Sequence, residues 1–217
     1  MTPYNLVNMA KILGLDAIAL TDHNTCLNCR AAMAVGKQIG LTVIPGMELC
    51  TSEEVHVVCL FEELNNAEAF SEYVRSTVPA INNRPDIFGE QLIMDERDGI
   101  LGTEDLLLTT ASGISIESVV KTVEKYGGVC YPAHIDRSSY SVISNLGMIT
   151  PEMNFPAVEM TENADCEEYK NKYPIINSIP ILVSSDAHYL ENMREANQAI
   201  SIDDNSIKSI IGYLKKA

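Results

Sequence analysis

Short unbroken apolar runs alternate along the chain with longer stretches in which apolar residues recur at helical spacing. The opening stretch runs to Leu13, with Thr2 placed to cap a helix, Pro3 at its first position and Gly14 just past its end. Residues 16–20 (DAIAL) follow as a nearly continuous apolar run of the kind found in strands buried on both faces, and it stops at Thr21-Asp22-His23. Asn24 is placed to cap a second helix that reaches Gln38 and stops at Gly40, and residues 41–48 (LTVIPGME) read as a second buried strand. Residues 55–61 make a third strand. Residues 65–81 form an amphipathic helix with Ala67, Phe70, Tyr73, Val74 and Val78 on its apolar side.

Residues 82–113 break this rhythm. Asp98-Gly99 between QLIM and ILG is a hairpin signal, followed by the run Leu106-Leu107-Leu108, and the whole segment is expected to be an insertion. The alternation resumes with a helix over 115–126, a Gly127-Gly128 stop and a strand over 129–133 that ends at His134. Strand-like segments at 157–160, 179–184 and 199–202 precede a last helix over 205–216. Strands alternating with helices predict an α/β fold with a parallel sheet and right-handed crossovers, closed as a barrel rather than left open. The length of 217 residues predicts one domain spanning the whole sequence.

Composition narrows the classes. With 46% hydrophobic and 21% charged residues the chain has the balance of a soluble globular protein, and no apolar run approaches the roughly 18 residues of a spanning helix. The first residues lack the basic start, apolar core and cleavage site of a secretory signal, which makes the cytoplasm the expected compartment. The six cysteines are scattered among core elements and are expected to be free thiols. A formal charge of -15 without any basic run disfavours bulk binding to nucleic acid, and no membrane partner is expected.

The chemistry collects at strand ends. His23, Glu48, His134, Asp186 and His188 each stand at or just beyond the end of a predicted strand, and in a parallel β/α barrel those ends converge on one face. His56 sits at the start of its strand and reaches that face only if the strand runs antiparallel, in a hairpin after Glu48. Asp186-Ala187-His188 places two ligands on one side of an extended segment. A single histidine near a strand end is ordinarily a hydrogen-bonding or surface residue. Here all four histidines adjoin an Asp, a Glu or a strand terminus, and the set reads as a metal site. Mixed imidazole and carboxylate ligands suit zinc, manganese or iron, and the two oxygens of Glu48 can bridge two ions. Ions a few ångströms apart suit hydrolysis of a phosphate ester. Arg137 stands just past His134, where its guanidinium either grips a substrate phosphate or pairs with Asp136. Cys26-Leu27-Asn28-Cys29 reads as packed thiols or, as a less favoured alternative, as a redox pair.

Leu20-Thr21-Asp22-His23-Asn24, Pro45-Gly46-Met47-Glu48, Pro132-Ala133-His134 and Ser185-Asp186-Ala187-His188 together resemble the PHP (polymerase and histidinol phosphatase) family, in the family's order. The resemblance implies a distorted seven-stranded, TIM-like β/α barrel that hydrolyses phosphoesters, from small phosphomonoesters to nucleotides and oligonucleotides. It also implies two or three divalent ions, with Glu48 bridging, His56 and His134 completing one site, Asp186 serving its neighbour, and His23 with His188 serving the third. Asp22 is expected to orient His23 or the sheet edge, or to cap a turn. The family's first strand, carrying His-x-His, has no counterpart here, since the sequence opens in what resembles the helix after it; the expected barrel therefore has a missing or incomplete first strand and two unpaired edges. The implied activity is that of a metal-dependent phosphoesterase acting on a small phosphorylated substrate, a nucleotide among them, by metal-bound hydroxide. Asp186 would relay protons and Arg137 would stabilise phosphoryl charge, in a pocket shaped by residues 82–113 and 135–154. A non-catalytic PHP-like metal-binding scaffold or an inactive fragment is the alternative.

Overall fold

The structure, a computed structural model, describes residues 1–196 and 198–216. In chain order its elements are α1 (Pro3–Ile12), β1 (Ala17–Leu20), α2 (Cys29–Ile39), β2 (Thr42–Cys50), β3 (His56–Leu60), α3 (Leu64–Thr77), α4 (Pro85–Phe88), β4 (Leu92–Met94) and β5 (Ile100–Thr103). There follow α5 (Ile116–Lys125), β6 (Val129–Pro132), α6 (Val142–Leu146), β7 (Val158–Thr161), α7 (Cys166–Lys172), β8 (Ile181–Ser184) and α8 (Ile207–Lys216). Thr2 caps α1 with Pro3 at its first turn, and Gly40 closes α2 in the left-handed conformation, as the sequence predicts. Helix α3 stops at Thr77, short of the predicted 81, because Pro79 drives Val78 into extended backbone.

The sheet differs from the expected parallel one. Strands β1, β2, β3 and β6 pair in that order; β1 and β2 are parallel, but β3 runs antiparallel to both β2 and β6. The connection from Cys50 to His56 is too short for a parallel crossover, which needs a dozen or more residues. Thr51 closes it as a hairpin, donating its N–H to the Val55 carbonyl (2.9 Å) while its hydroxyl accepts from the Val55 N–H (3.2 Å). Strands β7 and β8 form a separate parallel pair, and β4 with β5 forms the predicted hairpin around Asp98-Gly99. The described strands do not close into a continuous sheet.

Residues 199–202 form no strand. Instead the Gln198 side chain accepts from Val183 N–H (2.8 Å) and donates to the Ile181 carbonyl (2.9 Å), satisfying the edge of β8 as a neighbouring peptide unit would. A cavity of about 870 Å³ runs along this edge, lined by all of β1 and by residues 182–188.

Two faces of the sheet set the core. Met47, Leu49, Val57, Cys59 and Phe61 point outward under α3 and α5, whereas Ile44, Val58, Leu60 and Tyr131 point inward, where Ile210, Ile211 and Leu214 of α8 pack against them. A third cluster joins α1 and α2 to Ile18 and Val43. Tyr73, predicted on the buried face of α3, is 39% exposed and stacks on Tyr126 instead.

Helix α2 approaches β2 so closely that a Cβ on Gly36 would lie 2.5 Å from Val43 Cγ2 and 2.6 Å from the Leu41 carbonyl oxygen. Replacing a helical glycine by alanine ordinarily gains about 0.5–1 kcal/mol. Overpacking against backbone costs roughly 1–3 kcal/mol, and it wins here. Gly36→Ala is expected to lower the urea midpoint at unchanged m-value; an unchanged or raised midpoint would show that this contact is not tight.

Candidate metal centre

The inward face of β2 carries Ile44, Gly46 and Glu48, and the inward face of β3 carries Leu60, Val58 and His56, because side chains on one face recur every second residue. The antiparallel run of β3 turns the start of that strand toward the end of β2, where Cys50 faces His56 in register. His56 thereby reaches Glu48, as the sequence requires of an antiparallel strand. Gly46 permits the close pairing, since a Cβ there would lie 2.8 Å from the Cys59 carbonyl oxygen.

His23 lies beyond β1 in an isolated parallel bridge to Glu48. The next residue, Asn24, is not the predicted helix cap, because α2 starts only at Cys29. Asn24 instead takes left-handed backbone at φ 50° and its buried side chain accepts from Cys50 N–H (2.9 Å). It also donates to the carbonyls of Leu108 and Thr110 (both 2.8 Å). These bonds fasten the end of β2 and the segment after β5 beside His23. Among the described residues the Asp22 carboxylate bonds Asn28 rather than His23, accepting from Asn28 Nδ2 at 3.3 Å, and burial pushes its pKa up.

Three imidazoles converge on one carboxylate. Glu48 Oε1 lies 3.0 Å from His56 Nδ1 and 3.2 Å from His134 Nε2, while Oε2 lies 3.5 Å from His23 Nδ1. The row continues outward, with His23 and His188 ring centroids 5.8 Å apart. Asp186 stands 3.7 Å from His188 Nδ1 and 2.8 Å from Arg137 Nη2. Residues 186–188 are not extended: Asp186 is left-handed at φ 43°, and a turn rather than strand periodicity brings His188 beside it. Arg137 pairs with Asp186, not with Asp136, whose carboxylate is taken by the backbone and hydroxyl of Thr161.

Glu48 is 6% exposed. Burial opposes its ionisation, but hydrogen bonds from His134 and His56 and the charge of His23 outweigh it and hold the carboxyl well below the usual range. Burial likewise lowers His23, and in His134 the bond to Glu48 overcomes burial and raises the pKa. Donor atoms of His23, Glu48 and His56 lie within 4.8 Å of one another, near the span that ligands about 2.1 Å from one ion allow. The buried Nδ1 of His134 has no hydrogen-bond partner among the described residues. An orphaned imidazole nitrogen and a carboxylate crowded by imidazoles are what a divalent ion would satisfy, so the donor set fits the implied metals.

The Cys-x-x-Cys segment has another character. Cys26 and Cys29 are buried with both thiols directed at the Gly46 carbonyl (3.1 and 3.4 Å), and the bond with Cys29 together with burial raises Cys26 far above the reactive range. All six cysteines are free thiols.

Residues 1–104, which hold His23, Glu48 and His56, match the PHP domain family. Over that segment, just under half of its length, the chain is similar to a PHP domain. No curated protein sequence matches it. Among solved structures, the lesion-specific endonuclease Q of Pyrococcus furiosus is similar at TM-score 0.69 and 16% identity, over 100% of this chain and 52% of that one. The chain thus spans about half the length of endonuclease Q, which has also been solved with a 27-mer duplex carrying an abasic lesion at the active site. A Bifidobacterium adolescentis protein described as a metal-dependent phosphoesterase is similar at TM-score 0.62 and 16% identity, over 94% of this chain and 88% of that one. An amidohydrolase from Chromobacterium violaceum with bound sulfate is similar at TM-score 0.61 and 16% identity, over 99% of this chain and 92% of that one. At such identities the likeness is one of fold.

Two residues beside this cluster escape a reading by strand ends. Tyr140 stacks on His56 at 4.7 Å between ring centroids. Glu159, buried in the middle of β7, accepts from His134 N–H (3.3 Å) and thereby helps to hold that residue at φ 29°. The even spacing of Ala157, Glu159 and Thr161 was the only signal that a carboxylate faced inward. Burial pushes the Glu159 carboxyl up to about 7. Above the ordinary carboxylate range the folded protein therefore keeps a proton that the unfolded chain has lost, and stability falls as pH rises through that window. Glu159→Gln cannot ionise and is expected to lose less stability than the native chain between about pH 5 and pH 8 in metal-free urea melts. Parallel losses would show that Glu159 does not titrate there.

Proposed function

We propose that this chain is a metal-dependent phosphoesterase hydrolysing a small phosphomonoester or nucleotide phosphate. His23, Glu48, His56, His134, Asp186 and His188 hold two or three divalent ions, zinc, manganese or iron. The observation that carries this reading is the division of labour at Glu48: one oxygen faces His56 and His134, the other faces His23, as a bridging carboxylate requires. Bound ions of this kind supply an activated water and neutralise phosphoryl charge. Arg137, 44% exposed at the rim and aimed by its ion pair with Asp186, grips a phosphate oxygen, and Asp186 accepts and passes on a proton. The fold is read as one domain, a distorted seven-stranded barrel with residues 82–113 inserted and with β1 and β8 both lining the cavity where the described strands do not close.

The charge of -15 favours a small substrate over a long polyanion. The likeness to endonuclease Q nevertheless makes a lesion-bearing duplex a necessary member of the substrate panel, and the likeness to an amidohydrolase calls for an amide. The test is metal content by elemental analysis together with product release from mononucleotides, sugar phosphates, an abasic duplex and an amide, with manganese or zinc added. Two or three ions per chain and phosphate release are expected. Glu48→Ala is expected to lose both, because three imidazoles then face one another with no carboxylate between them. Metal without turnover on any substrate would leave a non-catalytic scaffold. Arg137→Ala is expected to keep its ions and lose about tenfold or more in kcat/KM, with Arg137→Lys in between; full activity would remove Arg137 from the site.

A further inference from the structure

The loop after β6 is held rigidly at both ends. Ile135 is fully buried and bonded to the Glu159 carbonyl (2.8 Å). Ser141 is fully buried, bonds the Arg137 carbonyl (2.7 Å) and starts α6 with a reciprocal capping box to Ser144. Between these anchors Arg137 and Tyr140 are exposed, three positions apart on the same short loop.

Tyr140 is in the left-handed backbone region at φ 55°, where glycine or asparagine is at ease and tyrosine is strained. Two contacts hold it there: its carbonyl accepts from His56 N–H (2.8 Å), and its ring lies nearly parallel to the His56 imidazole, 22° between planes. The backbone contact needs no particular side chain, so the strain is spent on presenting the ring. The side chain remains 45% exposed, with one face against His56.

We infer that Tyr140 is a stacking platform for the base of a mononucleotide whose phosphate is held at Arg137 and the Glu48 cluster. This rests on the phosphoesterase reading and adds the residue that selects nucleotides among its substrates. Stacking on an aromatic face tolerates any base, so a preference for nucleotides over sugar phosphates follows, without selection among bases. One rigid loop then fixes the separation between phosphate grip and base, which a sugar phosphate lacking the ring cannot exploit.

The experiment compares, on metal-loaded protein, the affinity for a non-hydrolysable phosphonate analogue of adenosine 5′-monophosphate with that for the matching ribose 5-phosphate analogue, by calorimetry. The kcat/KM ratio of the two natural phosphates is measured beside it. The native chain is expected to prefer the nucleotide about tenfold or more, and Tyr140→Leu, which still covers His56, to lose most of that preference; Tyr140→Phe retains it. Elemental analysis of each variant separates loss of the platform from loss of the metal site. Equal affinity for both analogues, or a preference unchanged in Tyr140→Leu, overturns the inference. Nucleotide preference in binding without turnover refutes the phosphoesterase reading but upholds the platform, whereas turnover without preference does the reverse.

Discussion

The carboxylate of Glu48 beneath three imidazoles is the constraint around which the rest of this structure is arranged. A lone ionised carboxylate taken out of water costs several kcal/mol, and it is tolerated only where hydrogen bonds replace its hydration. Glu48 obtains them from His56 and His134, with His23 approaching the second oxygen. Each partner makes a demand on the fold. His56 needs an antiparallel β3, His23 needs a bridge beyond the end of β1, and His134 needs a chain reversal just after β6.

These demands account for four of the seven non-glycine residues with positive φ among the described residues. Asn24, His134, Tyr140 and Asp186 all have positive φ, and each lies in or beside the ring of donors. Such conformations persist only where surrounding bonds over-determine them. Asn24 is fixed by Cys50, Leu108 and Thr110, His134 by Glu159, and Tyr140 by His56. The helices supply a stable base, and the donors gather at one end of the sheet, on β2 and β3 and in the loops after β1, β6 and β8.

The same fold is shared with proteins described as an endonuclease, a phosphoesterase and an amidohydrolase. A fold so widely used does not choose the bond that is cleaved; local side chains do. In this chain Arg137 and Tyr140 are carried on the loop after β6, beside Asp186 and His56, and the thiols of Cys26 and Cys29 lie buried under Gly46.

Local signals were sufficient for much of this protein. Thr2-Pro3, Gly40, Asp98-Gly99 and Ser115 mark element ends through backbone preferences that act within a few residues, and the apolar runs mark β1, β2, β3, β6, β7 and β8. The six metal-ligand candidates stand out because histidines and acids are placed at or near strand termini, and the position of His56 implied a reversed β3. Tertiary structure alone decided what depends on distant partners. The pairing of Arg137 with Asp186 and the bonds of Asn24 to Leu108 and Thr110 link segments 49, 84 and 86 positions apart, which no local preference encodes. The apolar run at 199–202 looked like a strand because burial alone resembles strand patterning, yet Gln198 had already satisfied the edge of β8. Sequence determines which groups are available within a few residues; only the packed chain determines which of them share one carboxylate.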